Sequence, residues 1–469
     1  MDFNALTRKK HVDIAAPSGL KRCLGATDLV LLGIGCIIGT GIFVLTGHVA
    51  ATHAGPAVVL SYVIAGLACT AAALAYAELS ASLGGCGSAY GYSYMAFGEL
   101  FAWLIGWTLI LEYGMAVATV ANGWSGYFGS ALRSVGIELP RHLTATPADG
   151  GTVNLPAMLV VLALMGLIIY GVRESARFNA AIVFVKLLTI AVFIGVAAFH
   201  VDPANWKPFV PFGWFETLPN HESRGVLTGA SIVFFAYIGF DAVSTAAEEA
   251  RNPQRDLPIG IIGSLAVCTL LYLVVAGLLT GVARYDTLDV SYPVAFALEK
   301  LGVTWASGLV AAGAIAGMTT VMLVLYYGLT RIIFALARDG LIPAGLAAVN
   351  PRTQTPVVVI VLCGVVIALL AGLVPLGKLA ELVNFGTLAA FVMVCAGMMV
   401  LRRDHPDLPR PFKTPLYPSV PVFGVLSCAM LMYFLSVATW MYFAIWAALG
   451  AAIYFGYSVR HSALAAPRA

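Results

Sequence analysis

Leu32-Gly-Ile-Gly-Cys-Ile-Ile-Gly-Thr-Gly-Ile-Phe43 is the stretch that decides the fold. It sits inside an apolar run, residues 28–48, long enough to span a bilayer, yet glycine occupies positions 33, 35, 39 and 41. In water each glycine costs a helix about 1 kcal/mol relative to alanine, so the run invites local unwinding. Unwound backbone exposes N–H and C=O groups, which hydrocarbon tolerates only where they line a cavity. A plainer reading is close helix packing through small residues, and Gly35 and Gly39 have the Gly-x-x-x-Gly spacing for it. The stretch by itself leaves both readings open.

The surrounding chain is an all-α integral membrane protein by composition. Of its 469 residues, 60% are hydrophobic and 10% charged, against about a quarter charged in a soluble domain. Apolar runs of about 18 or more residues recur along the length and read as spanning helices. They lack the alternation a membrane β-barrel needs. Twelve spans are expected, at 28–48, 56–80, 98–126, 155–172, 179–200, 225–248, 259–282, 304–333, 356–374, 380–401, 420–437 and 439–457. The longest external loop, about 127–154, is too short for a soluble domain, and Pro293–Lys300 reads as a short helix over the outer face. Residues 1–27 are basic and carry no cleavable-signal pattern, so the first run is expected to be retained. The eight cysteines lack metal-ligand or redox spacing and read as small packing residues.

An even number of spans puts both termini on one side. Segments on that side hold 18 of the 26 Lys and Arg, the opposite side holds 7, and Lys186 lies within a span. The positive-inside rule then places both termini in the cytoplasm of a plasma (inner) membrane protein. Only Val437-Ala438-Thr439 separates the last two spans. One bent helix over 420–457 would move the tail outside, and cysteine accessibility at Ser462 is the test.

A second interruption changes the weight of the first. Ile232-Val-Phe-Phe-Ala-Tyr-Ile-Gly-Phe-Asp-Ala-Val-Ser-Thr245 carries Gly239 and Asp241 deep in the sixth span. A charge there costs about 2.5–3.5 kcal/mol on insertion scales and usually faces a cavity or a partner. Spans one and six match in position if a ten-helix core, 28–402, consists of two five-helix halves, 28–200 and 225–402, followed by helices 11 and 12 within 403–457 and a tail at 458–469. Inverted repeats with a broken first helix place the binding site between the breaks. Half-helix N-termini suit a carboxylate, and half-helix C-termini present carbonyls that suit an ammonium. Two facing breaks can therefore hold both ends of an amino acid.

Five motifs in order resemble the amino acid–polyamine–organocation superfamily. They are Gly33 to Phe43, Gly171-Val-Arg-Glu-Ser-Ala-Arg-Phe-Asn179, Phe240-Asp-Ala-Val-Ser-Thr245, Glu248 to Pro258 and Arg331-Ile-Ile-Phe-Ala-Leu-Ala-Arg-Asp-Gly340. The resemblance runs from about Leu20 to Tyr457 and is nearest to the bacterial cationic amino acid transporter branch. It implies a LeuT-type fold of two inverted five-helix repeats plus two C-terminal helices. It also implies a carboxylate site on the backbone of Gly39, Thr40 and Gly41, and an ammonium site on the carbonyls of Ile37, Phe235, Ala236 and Ile238. The Phe235 ring would act as a gate. Gly84-Gly-Cys-Gly87 departs from the family, where a proline is expected.

Two further charges lie deep. Lys186 is about seven residues from Asn179 and fourteen from His200, a long reach for snorkelling. A buried amine can exchange a proton as access alternates, and in proton-coupled members of the resembled family a lysine at the matching position replaces a sodium ion. Glu112 falls on one helical stripe with Thr108, Met115, Thr119 and Asn122, which should face the bundle interior. A structural role and a proton-relay role for it stay equally open. Asp241 is expected to cap the broken helix or meet the substrate amine, the first being favoured. Arg331 to Arg338 and Glu248 to Asp256 read as gate ion pairs and cytoplasmic anchors.

The expected function is secondary active uptake of L-amino acids, proton-coupled, with no cofactor or metal. Alignment on the Arg331 motif puts bulky Leu325 at the side-chain end, which favours small or neutral apolar substrates. The alternative is a cationic amino acid or polyamine exchanger on the same fold. An embedded enzyme or a channel lacks its motifs here. The expected partners are substrate, protons and the lipid bilayer, without nucleic acid, for a monomer with room for a small accessory membrane protein.

Overall fold

The computed structural model describes residues 8–9, 22–83, 89–170, 176–217, 223–350, 352–353 and 355–465. Helix covers each of the twelve apolar runs. The helices are α1 (Ala26–Ile37), α2 (Val58–Leu83), α3 (Ala89–Ala96), α4 (Glu99–Ser134), α5 (Leu155–Ile169), α6 (Ala176–Ala197) and α7 (Val226–Val233). They continue with α8 (Pro253–Val282), α9 (Pro293–Lys300), α10 (Thr304–Arg338), α11 (Val357–Leu373), α12 (Leu376–Asp404), α13 (Ser419–Tyr433) and α14 (Val437–Ile453). Among the described residues the strands are two antiparallel dipeptides, β1 (Glu216–Thr217) and β2 (Ser223–Arg224). Among the described residues, eight helical segments are long and apolar enough to cross a membrane, and four shorter apolar helices accompany them.

Burial is arranged for lipid and not for water. On α6, Phe184 is 67% exposed while Lys186, half a turn away, is fully buried. Leu270, Leu362 and Leu426 face outward as well, while Glu78, Glu99, Glu112 and Asp241 lie inside. Charges desolvated in this way need partners or a task.

Several boundaries differ from expectation. The third helix runs to Ser134, so the loop after it starts eight residues late and carries 3-10 turns at Arg141–Leu143 and Pro147–Asp149. The short outer helix has the expected bounds, Pro293–Lys300. The last two spans are separate helices: Ser436 is extended and its side chain accepts the Thr439 amide, starting α14 afresh. Glu381 on α12 takes hydrogen bonds from both hydroxyls, 2.5 Å from Ser436 and 2.7 Å from Thr439. Gly84 to Gly87 lies outside the described residues.

Described residues near the two ends of the chain meet. Arg8 donates to the Val459 carbonyl and Lys9 pairs with Asp404 at the end of α12. Ser462 is not the accessible tail position expected: it is buried and donates to Glu99, which also accepts from Tyr94 and Tyr454. The neighbouring Ala463 is exposed and is the better site for a thiol probe.

Of the residues expected at cytoplasmic gates, three have the following described partners, and the Glu248 side chain lies outside the described residues. Arg331 donates to the Tyr327 hydroxyl and Arg251 to the Cys23 carbonyl, while Asp256 accepts the Asn252 amide. The buried ion pair among the described residues joins Glu78 on α2 to Arg402 on α12, with Arg410 at 3.6 Å and the Thr414 amide at 2.7 Å. Backbone bonding also ties residues 23–24 to Glu249 and Arg251, so the start of α1 is fastened to the chain beyond the second interruption.

Candidate functional site

The first helix breaks where the glycines predict, and the two readings of those glycines divide among them. Gly33 and Gly35 lie in continuous helix. A Cβ on Gly33 would strike Ser264 of α8, and one on Gly35 would lie 2.8 Å from Asn179 Oδ1 of α6. These are packing glycines. After Ile37 the chain turns extended at Ile38 (φ −75°, ψ 104°) and resumes as helix over residues 41–54. Gly39 and Gly41 belong to the break. The amides at the start of the second half have no preceding turn to supply carbonyls, which is the donor array a carboxylate needs.

The second broken helix faces it. Beyond α7, Phe234–Tyr237 tightens to a 3-10 turn, Ile238 is extended (ψ 134°) and Gly239 adopts φ +118°, a conformation that favours glycine. A Cβ on Gly41 would strike Ala236, and one on Gly239 would lie 2.9 Å from the Cys36 carbonyl carbon. The breaks therefore touch reciprocally, each through a glycine.

Side chains from neighbouring helices secure the carbonyls. Lys186 is fully buried and donates to the Gly35 carbonyl at 2.6 Å. Its stem lies against Gly317 of α10, where a Cβ would come within 2.9 Å of Cε. Tyr272 of α8 donates its hydroxyl between the carbonyls of Ile37 (3.0 Å) and Ala236 (2.7 Å), bridging the breaks. Tyr62 of α2 reaches the Gly41 carbonyl at 3.2 Å, and the rings of Tyr62, Tyr237 and Tyr272 stand together at 5.4–6.1 Å. The two tyrosine contacts escaped the sequence reading.

The remaining expected site residues are placed as follows. Thr40 is buried and its hydroxyl donates to Met318 Sδ at 3.3 Å, while Val321 lies 3.4 Å from a Cβ on Gly39. Leu325, buried, is one turn further along α10. Met318, Val321 and Leu325 thus form one apolar stripe at helical spacing, of which the sequence pointed to the last. Phe235, Ala236 and Ile238 are buried at the second break. Asp241 folds back, its Oδ1 accepting the Gly239 amide at 3.2 Å, and makes no side-chain cap of the following helical turn.

Glu112 is buried on α4, near enough to Asp241 for their charges to interact and with Thr387 of α12 beside it. Among the described residues its Oε2 has no hydrogen-bond partner. Of its expected stripe, Met115 is half-buried and the others are buried. Asn122 has a structural partner, donating to the Ala371 carbonyl at 3.0 Å.

Comparison with known proteins gives the family. The amino acid permease family matches residues 24–457. The branched-chain amino acid permease BcaP of Bacillus subtilis is 50% identical over 97% of this chain and 98% of its own length. The methylthioribose transporter of Bacillus subtilis is 48% identical over 98% of this chain and all of its own length. Human cationic amino acid transporter 4 is 38% identical over 83% of this chain and 61% of its own length. Relatives of the cationic branch thus match, and bacterial permeases with other named substrates match at higher identity.

Proposed function

The chain belongs to the amino acid permease family, and from that premise we propose that it takes up L-amino acids by alternating access, driven by proton symport. A permease moves its substrate without covalent chemistry, so the chain is not an enzyme. The observation that carries the reading is the reciprocal contact of the breaks, Gly41 on Ala236 and Gly239 on Cys36. Amides of Gly39, Thr40 and Gly41 would hold the carboxylate, and carbonyls of Ile37, Phe235, Ala236 and Ile238 the ammonium. The carbonyls of Ile37 and Ala236 already accept from Tyr272 and each keeps a second lone pair for the substrate.

The proposed architecture is LeuT-type, with repeats 28–200 and 225–402. Helices at three matching positions pack on each other, α2 on α8, α4 on α10 and α5 on α11, which supports an in-plane two-fold axis between the repeats. Shared contacts of both termini at one end, together with the charge bias, support a cytoplasmic placement of that end in the plasma membrane.

Lys186 is the proposed coupling group. Protonated, it donates to Gly35 and holds α1 against α6. Deprotonated, it loses the charge that strengthens that bond, and α1 is freed to swing. The apolar stripe Met318, Val321 and Leu325 favours neutral apolar side chains, in keeping with the named substrate of the branched-chain relatives.

One observation favours a second reading, an exchanger of cationic amino acids: the partnerless Oε2 of Glu112 could meet a cationic side chain. Purified protein, screened for amino-acid-stimulated thermal stability, separates the two. The first reading expects stabilisation by leucine, isoleucine, valine or methionine and none by arginine. Stabilisation by arginine or a polyamine alone contradicts it.

A further inference from the structure

Asn384 on α12 is fully buried, and its Nδ2 donates to the carbonyls of Ser231 (2.7 Å) and Ile232 (3.0 Å). Those two carbonyls end α7, immediately before the 3-10 turn Phe234–Tyr237. In a continuous α-helix they would take the amides of Phe235 and Ala236. A 3-10 turn pairs each amide one residue closer, the Phe234 amide reaches Ile232 as well as Ala230, and the asparagine amide adds a side-chain donor to the carbonyls at which the pattern changes.

Because both partners are carbonyls, only the nitrogen end of the amide can face them. Oδ1 then points away, buried and without a hydrogen-bond partner. Leaving a buried acceptor unpaired is costly, so the amide is kept for what its donor does. The same helix grips the break a second time. The Phe391 ring lies 5.7 Å from Phe234 ahead of the break and 5.1 Å from Phe240 beyond it.

We propose that Asn384 is a positioning residue of the substrate site, holding the change from α-helix to 3-10 turn that aims the carbonyls of Phe235, Ala236 and Ile238 at the first break. The inference rests on the reading that those carbonyls receive the substrate ammonium. It concerns affinity and not the coupling step.

The test is leucine uptake into proteoliposomes by Asn384→Leu, which lacks the donor, and Asn384→His, whose Nδ1–H restores one. Asn384→Leu is expected to raise the apparent KM by about tenfold while the maximal rate falls by less than about threefold. Asn384→His is expected to recover most of the affinity. An unchanged KM in Asn384→Leu, or a reduced maximal rate alone, marks the residue as merely structural and overturns the proposal. If the leucine variant does not fold, the histidine variant decides. A KM within about threefold of the parent supports the proposal and a tenfold rise overturns it. Gly41→Ala, which drives a methyl into Ala236, is the control for the site itself. Parental leucine binding by Gly41→Ala would remove the reading on which the proposal rests. Loss of binding there with a parental KM in Asn384→Leu would overturn only the proposal.

Discussion

The two breaks are secured in different ways. In the first, side chains from three other helices donate to its carbonyls: Lys186 to Gly35, Tyr272 to Ile37 and Tyr62 to Gly41. In the second, Asn384 and Tyr272 donate to carbonyls ahead of the turn, and the chain holds the turn at Gly239 itself. Gly239 takes a left-handed φ, Asp241 accepts the Gly239 amide, and Ser244 donates back to the Asp241 carbonyl. A break held from outside can be released when an outside group changes its charge, and Lys186 is such a group. The outside donors at the second break, Asn384 and Tyr272, carry no charge and offer no comparable handle. On this reading the first break is the switch and α7 with its 3-10 turn is the fixed wall. The backbone tie between residues 23–24 and Glu249–Arg251 then makes α1 carry the far side of the second helix with it.

The largest effects are expected from the glycines that let the breaks touch. Gly41→Ala and Gly239→Ala should each abolish leucine-induced thermal stabilisation and cost about 1–3 kcal/mol by overpacking, read as a lower unfolding temperature. Gly33→Ala should destabilise with less effect on binding than Gly41→Ala, because its methyl strikes Ser264 of α8 and meets the second broken helix only at the Val243 side chain, 3.0 Å away. Equal binding losses at 33 and 41 would undo the division of the glycines.

Tyr272→Phe comes next. It removes the one hydroxyl shared by Ile37 and Ala236 and leaves two buried carbonyls short of a donor, a cost of about 1–3 kcal/mol. Leucine affinity, measured by titration against unfolding temperature, should fall with it. Asp241 separates a holding role from a charged one. Asn keeps an oxygen acceptor for the Gly239 amide, so Asp241→Asn should transport nearly as the parent, and Asp241→Ala should lose about 0.5–1.5 kcal/mol. A dead Asp241→Asn would mean that the charge itself is used.

The smallest effect lies at the far end of the first broken helix. His48 hydrogen-bonds Asp289 at 2.9 Å and holds that carboxyl below the ordinary carboxylate range. The pair therefore stabilises the folded chain above that range and is lost as pH falls through the lowered value. An exposed pair contributes up to about 1 kcal/mol, so Asp289→Asn should lower the unfolding temperature slightly at neutral pH and not at all in acid.

Much of this was readable because membrane sequences mark their exceptions. Glycines at 39 and 41, Gly239 beside Asp241, and Lys186 within an apolar run each violate what hydrocarbon prefers, and each lies at or against one of the two breaks. Tyr62, Tyr272 and Asn384 were not readable. The partners that matter are backbone carbonyls on other helices, and a carbonyl carries no side-chain signature. The roles of Gly33 and Gly35 were hidden for another reason, since the same residue in the same motif acts by packing or by unwinding according to what stands opposite. Ser462 was misplaced because its acceptor, Glu99, lies more than 300 residues away. Glu112 remains with one oxygen lacking a partner, and its surroundings favour neither of its two expected roles.

The switch assigned to the first break is tested most directly by labelled leucine uptake into sodium-free proteoliposomes under an imposed inward proton gradient, comparing the parent with Lys186→Met. The account predicts accumulation that collapses with the gradient in the parent, and no gradient-driven accumulation in the variant, which should still be stabilised by leucine. Gradient-driven accumulation by Lys186→Met at the parental level would contradict it.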